Sequence, residues 1–137
     1  MELKIGITGL AELNRGLRAI DANAPKELRL RLNAAANIVV DATRPKIPED
    51  TGAAARSLVA RSTRTAARVA AGGKKAPYYP WLDFGGEGRI KGHPAARPFL
   101  REGRYFYPTL REKRPQVEKE LLDGLTAIVR NAGLQED

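Results

Sequence analysis

The chain has 137 residues, of which 42% are hydrophobic and 29% charged, and its 24 basic and 16 acidic residues leave a formal net charge of +8. This length fits a single domain, 1–137, with its own core. The absence of cysteine excludes disulfides, thiolate metal sites and cysteine nucleophiles. No apolar run approaches the roughly 20 residues of a membrane span, and the first residues lack signal-peptide order, so we expect a soluble cytoplasmic protein without a membrane partner.

The positive charge is concentrated in one loop-rich segment. Residues 52–104 contain 11 basic and three acidic residues, whereas the segments on either side are nearly neutral. This distribution predicts a surface that meets an anionic partner, with nucleic acid the first candidate and an acidic protein the second. A basic face that contacts only solvent is the alternative.

Residues 1–8 alternate between apolar and polar side chains, which predicts a short half-buried strand. A helix is expected from Leu10, with Thr8 as its cap and a stripe formed by Leu13, Leu17 and Ile20. A longer helix is predicted from Pro25 to Arg44, because proline suits a first turn and Pro45 disfavours helical geometry before it. Its apolar stripe comprises Leu28, Leu32, Ala35, Val39 and Ala42.

The segment Pro48-Glu49-Asp50-Thr51-Gly52 has the residues of a turn, and Asp50 or Thr51 can cap a helical turn over residues 53–56. Two short strands, 57–61 and 65–71, are predicted to form a basic hairpin. Residues 72–96 lack a clear period and are expected to be largely loop around one apolar stretch near Trp81, which is a candidate further strand.

Pro98 is predicted to open a helical stretch with Phe99 and Leu100 facing inward, and Pro108 and Pro115 are expected to interrupt it. The final helix is predicted over 115–131, with Gly133 as its stop. Its apolar side comprises Val117, Leu121, Leu125, Ile128 and Val129. The fold class is therefore α+β: a small antiparallel sheet, a long central helix and a C-terminal helix packed on one side, and extended loops.

Residues for catalysis or metal binding are few. His93 has no histidine or cysteine partner in the sequence. The phosphate-loop spacing is absent from both glycine-rich segments, Gly72-Gly73-Lys74-Lys75 and Gly85-Gly86-Glu87-Gly88. The adjacent pair Glu49-Asp50 is better explained by capping. We therefore expect no enzymatic activity, no metal and no cofactor, and a small hydrolase around His93 and Asp83 is a remote alternative. The basic segment also carries no sequence-reading motif, so a non-sequence-specific nucleic-acid-binding module, contacting backbone phosphates, is the main rival function.

Three motifs occur in a distinctive order: the turn 48–52, then Tyr78-Tyr79 ahead of Leu82-Asp83-Phe84-Gly85, then Pro94-Ala95-Ala96-Arg97-Pro98-Phe99-Leu100. Together they resemble the tail-completion, or head-tail joining, family of long-tailed bacteriophages, which is named after the tenth gene product of a lambdoid phage. The resemblance covers nearly the whole chain. Asp83 departs from the Glu or His more usual in the family, and Pro108 and Pro115, within and directly after residues 105–114, depart from its continuous helix.

The resemblance implies a non-enzymatic virion protein that forms a ring, expected to be a hexamer, in the neck between portal and tail tube. It would reside in host cytoplasm before assembly, and its partners would be itself, other neck and tail proteins and the passing double-stranded DNA. The candidate assembly-interface residues are Tyr78, Tyr79, Trp81, Phe84, Arg97, Pro98 and Phe99. The candidate basic residues facing a DNA channel or a partner are Arg61, Arg64, Arg68, Lys74, Lys75, Arg89 and Lys91.

Overall fold

Five helices and two small antiparallel sheets make up the computed structural model, which describes residues 1–48, 52–90 and 93–131. This confirms the predicted α+β class. The strands are β1 (Glu2–Ile5), β2 (Val59–Ala60), β3 (Ala67–Ala70), β4 (Gly86–Ile90) and β5 (His93–Arg97). The helices are α1 (Leu10–Ile20), α2 (Ala24–Thr43), α3 (Ala53–Ser57), α4 (Tyr79–Phe84) and α5 (Phe106–Asn131), with a 3₁₀ turn at Arg44–Lys46.

The larger sheet has the strand order β1-β3-β2, and both pairings are antiparallel. In β1 the predicted alternation is confirmed, because Leu3 and Ile5 are buried while the residues between them are exposed. The predicted basic hairpin is also confirmed in β2 and β3, although both strands are shorter than expected. Its turn is closed by the Thr63 amide, which donates to the Ala66 carbonyl at 2.9 Å.

Helix α2 forms the centre of the molecule, with the sheet on one side and α5 on another. Pro25 lies in its first turn, as predicted. Of the predicted stripe, Leu28, Leu32, Ala35 and Val39 are buried, and Ala42 is half-buried. Burial of each large aliphatic side chain stabilises such a core by about 1.5–3 kcal/mol. The C-terminal helix passes close to α2 at Gly124, where an added Cβ would lie 2.9 Å from the Arg31 side chain.

Three details of the predicted helices are wrong. Thr8 does not cap α1, since the cap position is Gly9 in a left-handed conformation without a side-chain hydrogen bond. Ile20 is exposed rather than part of the buried stripe. Pro98 does not open a helix, and α5 instead begins at Phe106 and runs without interruption to Asn131.

Both prolines of α5 are accommodated within the helix. Pro108 lies in its first turn, where a missing amide proton would have no intrahelical partner anyway. Pro115 lies inside the helix and removes one backbone hydrogen bond. On the predicted apolar side, Val117 and Ile128 are buried, and Leu121, Leu125 and Val129 are half-buried.

The prediction that residues 72–96 are largely loop is wrong. The stretch around Trp81 forms helix α4 rather than a strand of the sheet, and β4 and β5 pair in a separate hairpin. Some predictions fall outside the described residues. They concern the capping residues Glu49, Asp50 and Thr51, the candidate basic residue Lys91, and Gly133, the predicted stop of the final helix. Within the described ranges no helix is both long and apolar enough to cross a membrane.

Candidate interaction site

The aromatic cluster is placed by helix α4, which divides its members between the interior and the surface. Tyr79 and Asp83 are four residues apart, so they share one face of the helix, and both are completely buried. Tyr78 is 40% exposed, and Trp81 and Phe84 are half-buried. Tyr79, expected at an interface, is therefore a core residue.

The Asp83 carboxylate joins α4 to the beginning of α5. Its Oδ1 accepts hydrogen bonds from the amides of Arg104 at 2.8 Å and Tyr105 at 3.0 Å. Its Oδ2 accepts one from the Tyr79 hydroxyl at 2.8 Å and one from the Phe106 amide at 3.3 Å. The first amides of a helix have no intrahelical partner and carry partial positive charge, so a carboxylate there stabilises the helix start. Asp83 thus caps α5 from a distant element.

Burial in this cluster suppresses ionisation of the tyrosine. Removal from water is the largest cause that raises the pKa of Tyr79, and the negative charge of Asp83 together with their hydrogen bond raises it further. Tyr79 therefore remains a hydrogen-bond donor, and the Asp83 carboxylate is fully used in structure. The remote alternative of a hydrolase around His93 and Asp83 has no support here, because His93 lies on exposed β5.

A tight turn after α4 fixes the next exposed segment, residues 98–100. Gly85 has φ of 83° and ψ of −162°, and a Cβ there would lie 2.1 Å from the Pro98 carbonyl oxygen. The Leu100 amide donates to the Phe84 carbonyl at 2.8 Å, and the Arg104 guanidinium donates to the Pro98 carbonyl. Only glycine allows this backbone conformation and close approach.

The backbone of residues 98–100, fixed by these hydrogen bonds, presents apolar side chains to solvent. Phe99 is 70% exposed and Leu100 is 45% exposed, so the prediction that they face inward is wrong. They are adjacent in sequence and follow Pro98, which is also exposed. Residues 98–100 are called the apolar ridge below.

Trp81 packs across the β4–β5 hairpin. Its indole Nε1 donates to the Gly86 carbonyl at 3.2 Å, and a Cβ on Gly88 would lie 2.6 Å from its ring. The Arg97 guanidinium lies 5.6 Å from the ring centroid and also donates to the Tyr105 hydroxyl at 2.9 Å. Arg97 therefore holds the hairpin against α4 and the start of α5.

Beside the ridge lies an open groove of about 530 Å³, called the aromatic groove below. It is lined by Pro77, Tyr78, Pro80, Trp81, Phe84, Gly85, Glu87 and Gly88. Among these described lining residues only Glu87 is charged. A concave surface of proline and aromatic side chains with one charged residue has the composition of a binding site.

The exposed candidate basic residues that the structure describes lie beyond the two ends of strand β3. Arg61 and Arg64 are exposed near the tip of the β2–β3 hairpin, and Lys74 and Lys75 are exposed in the turn beyond the other end of β3. The strand between the two groups spans about 10 Å. Arg68 is paired with Glu2 at 3.2 Å. The Arg89 side chain and Lys91 lie outside the described parts of the structure.

Two functional features were missed in the sequence: the role of Arg104 in holding the ridge and the role of Asp83 as a cap. Asp83 is 21 residues from the nearest amide it binds, so no local spacing could identify it. Across the described residues, no group of three or more His, Asp or Glu side chains could hold a metal ion.

Comparison with protein-family models, curated proteins and solved structures gives no match to this chain. The functional argument therefore depends on the geometry of the ridge and groove and on the motif resemblance.

Proposed function

We propose that this protein is a structural component of a long-tailed bacteriophage neck, where copies form a ring that joins the DNA-filled head to the tail. The observation that carries the proposal is the apolar ridge: large hydrophobic side chains are held in solvent by a backbone that is fixed on both sides. Exposed apolar surface beside aromatic and arginine side chains is typical of protein interfaces.

The motifs of the resemblance are consistent with this proposal because their residues build the support of the ridge. Asp83 anchors α5, and Gly85 admits the Pro98 carbonyl. Motif residues that hold the ridge backbone in place would maintain an assembly surface without taking part in catalysis. The Asp83 side chain, where the family more often has Glu or His, directly accepts from the amide of Phe106, the first residue of α5, and from the two amides before it.

The exposed basic residues suit the same role. A ring around a DNA channel benefits from positive side chains toward phosphate, and Arg61, Arg64, Lys74 and Lys75 are exposed candidates. The same residues could contact backbone phosphates in the rival function, a non-sequence-specific nucleic-acid-binding module, so DNA affinity and oligomeric state have to be measured together.

Native mass spectrometry of the purified protein, together with a duplex DNA titration over a range of salt, distinguishes these functions. The proposal predicts a discrete closed ring, with six copies as the expected number, and weak DNA binding. A monomer that binds duplex DNA with sub-micromolar affinity and a steep salt dependence would instead support the nucleic-acid-binding module.

Variants of the ridge test the surface itself. Trp81 and Phe84 are less suitable targets than Phe99 and Leu100, because Trp81 packs on Gly88 and the Phe84 ring lies 6.1 Å from that of Tyr107. The double variant F99S/L100S is expected to keep the melting temperature and lose the ring. Leu122→Ser is the matched control, since Leu122 is 65% exposed on α5, away from the ridge in sequence.

A further inference from the structure

We propose that the apolar ridge of one copy binds the aromatic groove of a neighbouring copy, with Arg101 of the first copy pairing with Glu87 of the second. This inference deepens the proposed function and rests on it, because it names the contact through which the ring forms. It assigns the two halves of the interface to two different surfaces of the same chain.

Charge complementarity identifies a second copy as the occupant. The groove carries one charged residue among those described, Glu87, and the residue that directly follows the ridge is Arg101. Both are exposed, and neither has an ion-pair partner within the described part of the chain. An apolar ridge followed by a cation therefore matches an aromatic groove that carries an anion.

A copy does not fill its own groove, since none of the ridge residues is among the residues that line it. The Leu100 amide donates to the Phe84 carbonyl, and Gly85 lies against the Pro98 backbone, so the ridge is fixed in this position. Phe99 stays exposed despite this proximity. Since the ridge backbone is already fixed, binding a neighbour costs little additional conformational entropy.

The contact joins unlike surfaces, and this determines how it propagates. A copy that inserts its ridge into a neighbour keeps its own groove free for the next copy. Such heterologous contacts form a ring when the rotation between copies closes, and an open filament when it does not. A groove of about 530 Å³ is large enough to receive side chains of the size of Phe and Leu.

Charge reversal tests the pairing without disturbing the core. Sedimentation velocity is measured for the wild type, Glu87→Arg, Arg101→Glu, the double variant E87R/R101E and a 1:1 mixture of the two single variants. Each single variant places like charges together at every contact, so we expect association to weaken at least tenfold. In the mixture every contact between unlike copies is again complementary, so the mixture and the double variant should associate like the wild type.

Asp123→Lys is the control, because it reverses an exposed charge on α5 that forms an ion pair with Lys119. It should leave association unchanged. If Glu87→Arg and Arg101→Glu each associate as strongly as the wild type, the inference is overturned. The ring would then form through another surface, and the proposed function would stand. A wild type that stays monomeric at every concentration would overturn the inference and also the closed ring that the proposed function predicts; head-tail joining would then test the neck role alone.

Discussion

The Asp83 carboxylate makes the most contacts of any described polar side chain between distant elements, and its removal gives the sharpest stability prediction. In Asp83→Ala the amides of Arg104, Tyr105 and Phe106 and the Tyr79 hydroxyl all lose their acceptor. The first two amides belong to partly buried residues, so water can replace part of the loss. The other two donors are buried and have no such replacement.

The expected cost follows from these four donors. Each buried donor left unpaired costs about 1–3 kcal/mol, and loss of a helix cap costs about 0.5–2 kcal/mol. We expect Asp83→Ala to lower the free energy of unfolding by about 3–5 kcal/mol. For a chain of this length that corresponds to a fall in melting temperature of about 10–17 °C.

Thermal and urea unfolding followed by circular dichroism measure this change. Asp83→Asn keeps one acceptor oxygen for two of the amides, so its loss should be intermediate. The control is Asp123→Ala, which removes an exposed ion pair with Lys119 and should cost about 0.5 kcal/mol or less. A value for Asp83→Ala within about 1 kcal/mol of the wild type would refute the assignment of Asp83 as the cap that holds α5.

Three further predictions concern individual positions. Folded Tyr79 keeps its proton well above its ordinary pKa of 10.0, so the unfolded chain loses that proton first as the pH rises. Above pH 10 the free energy of unfolding of the wild type should therefore fall by about 1.4 kcal/mol per pH unit relative to that of Tyr79→Phe. Equal pH slopes of the two proteins in urea unfolding would contradict this. Gly85→Ala should lower the free energy of unfolding by about 3 kcal/mol or more, because its Cβ would collide with the Pro98 carbonyl. Gly86→Ala should cost about 1–2 kcal/mol, since Gly86 has φ of 111° but open space for a Cβ. Similar losses for the two variants in thermal unfolding would refute the close approach at Gly85. Pro115→Ala should stabilise α5 by about 1–3 kcal/mol, measured by urea unfolding, and a loss of stability would mean that the helix needs its proline to pack.

The elements with strong local patterns were predictable from the sequence. Alternation in residues 1–8 and the apolar stripe from Leu28 to Val39 depend on repeats of two and of three to four residues, and both were confirmed by burial. The α+β class followed from them. The basic hairpin was also identified, because β-branched and arginine residues flank a short polar turn.

The region between residues 72 and 106 could not be predicted in the same way, because its structure depends on contacts between distant residues. Helix α4 has only six residues and is anchored by Tyr79 and Asp83 packing inward. The start of α5 is fixed by Asp83 rather than by any proline near it. The exposure of Phe99 follows from hydrogen bonds to Phe84 and Arg104, which no local pattern reveals.

The candidate site was therefore only partly predictable. Composition directed attention to the aromatic segment and to Phe99, since aromatic residues are enriched at interfaces, and the structure places Phe99 on the surface. It could not separate Tyr79, which is buried, from Tyr78, which is exposed. The assembly role itself stays a prediction.

Head-tail joining in vitro tests the central claim most directly. A lysate of a long-tailed phage whose copy of this gene carries a stop codon is mixed with the purified protein, and infectious particles are counted alongside electron micrographs. The proposed function predicts separate filled heads and tails before addition, and joined infectious particles after addition of the wild type but not of F99S/L100S. Normal particles in the lysate without the protein, or equal restoration by the ridge variant, would contradict it.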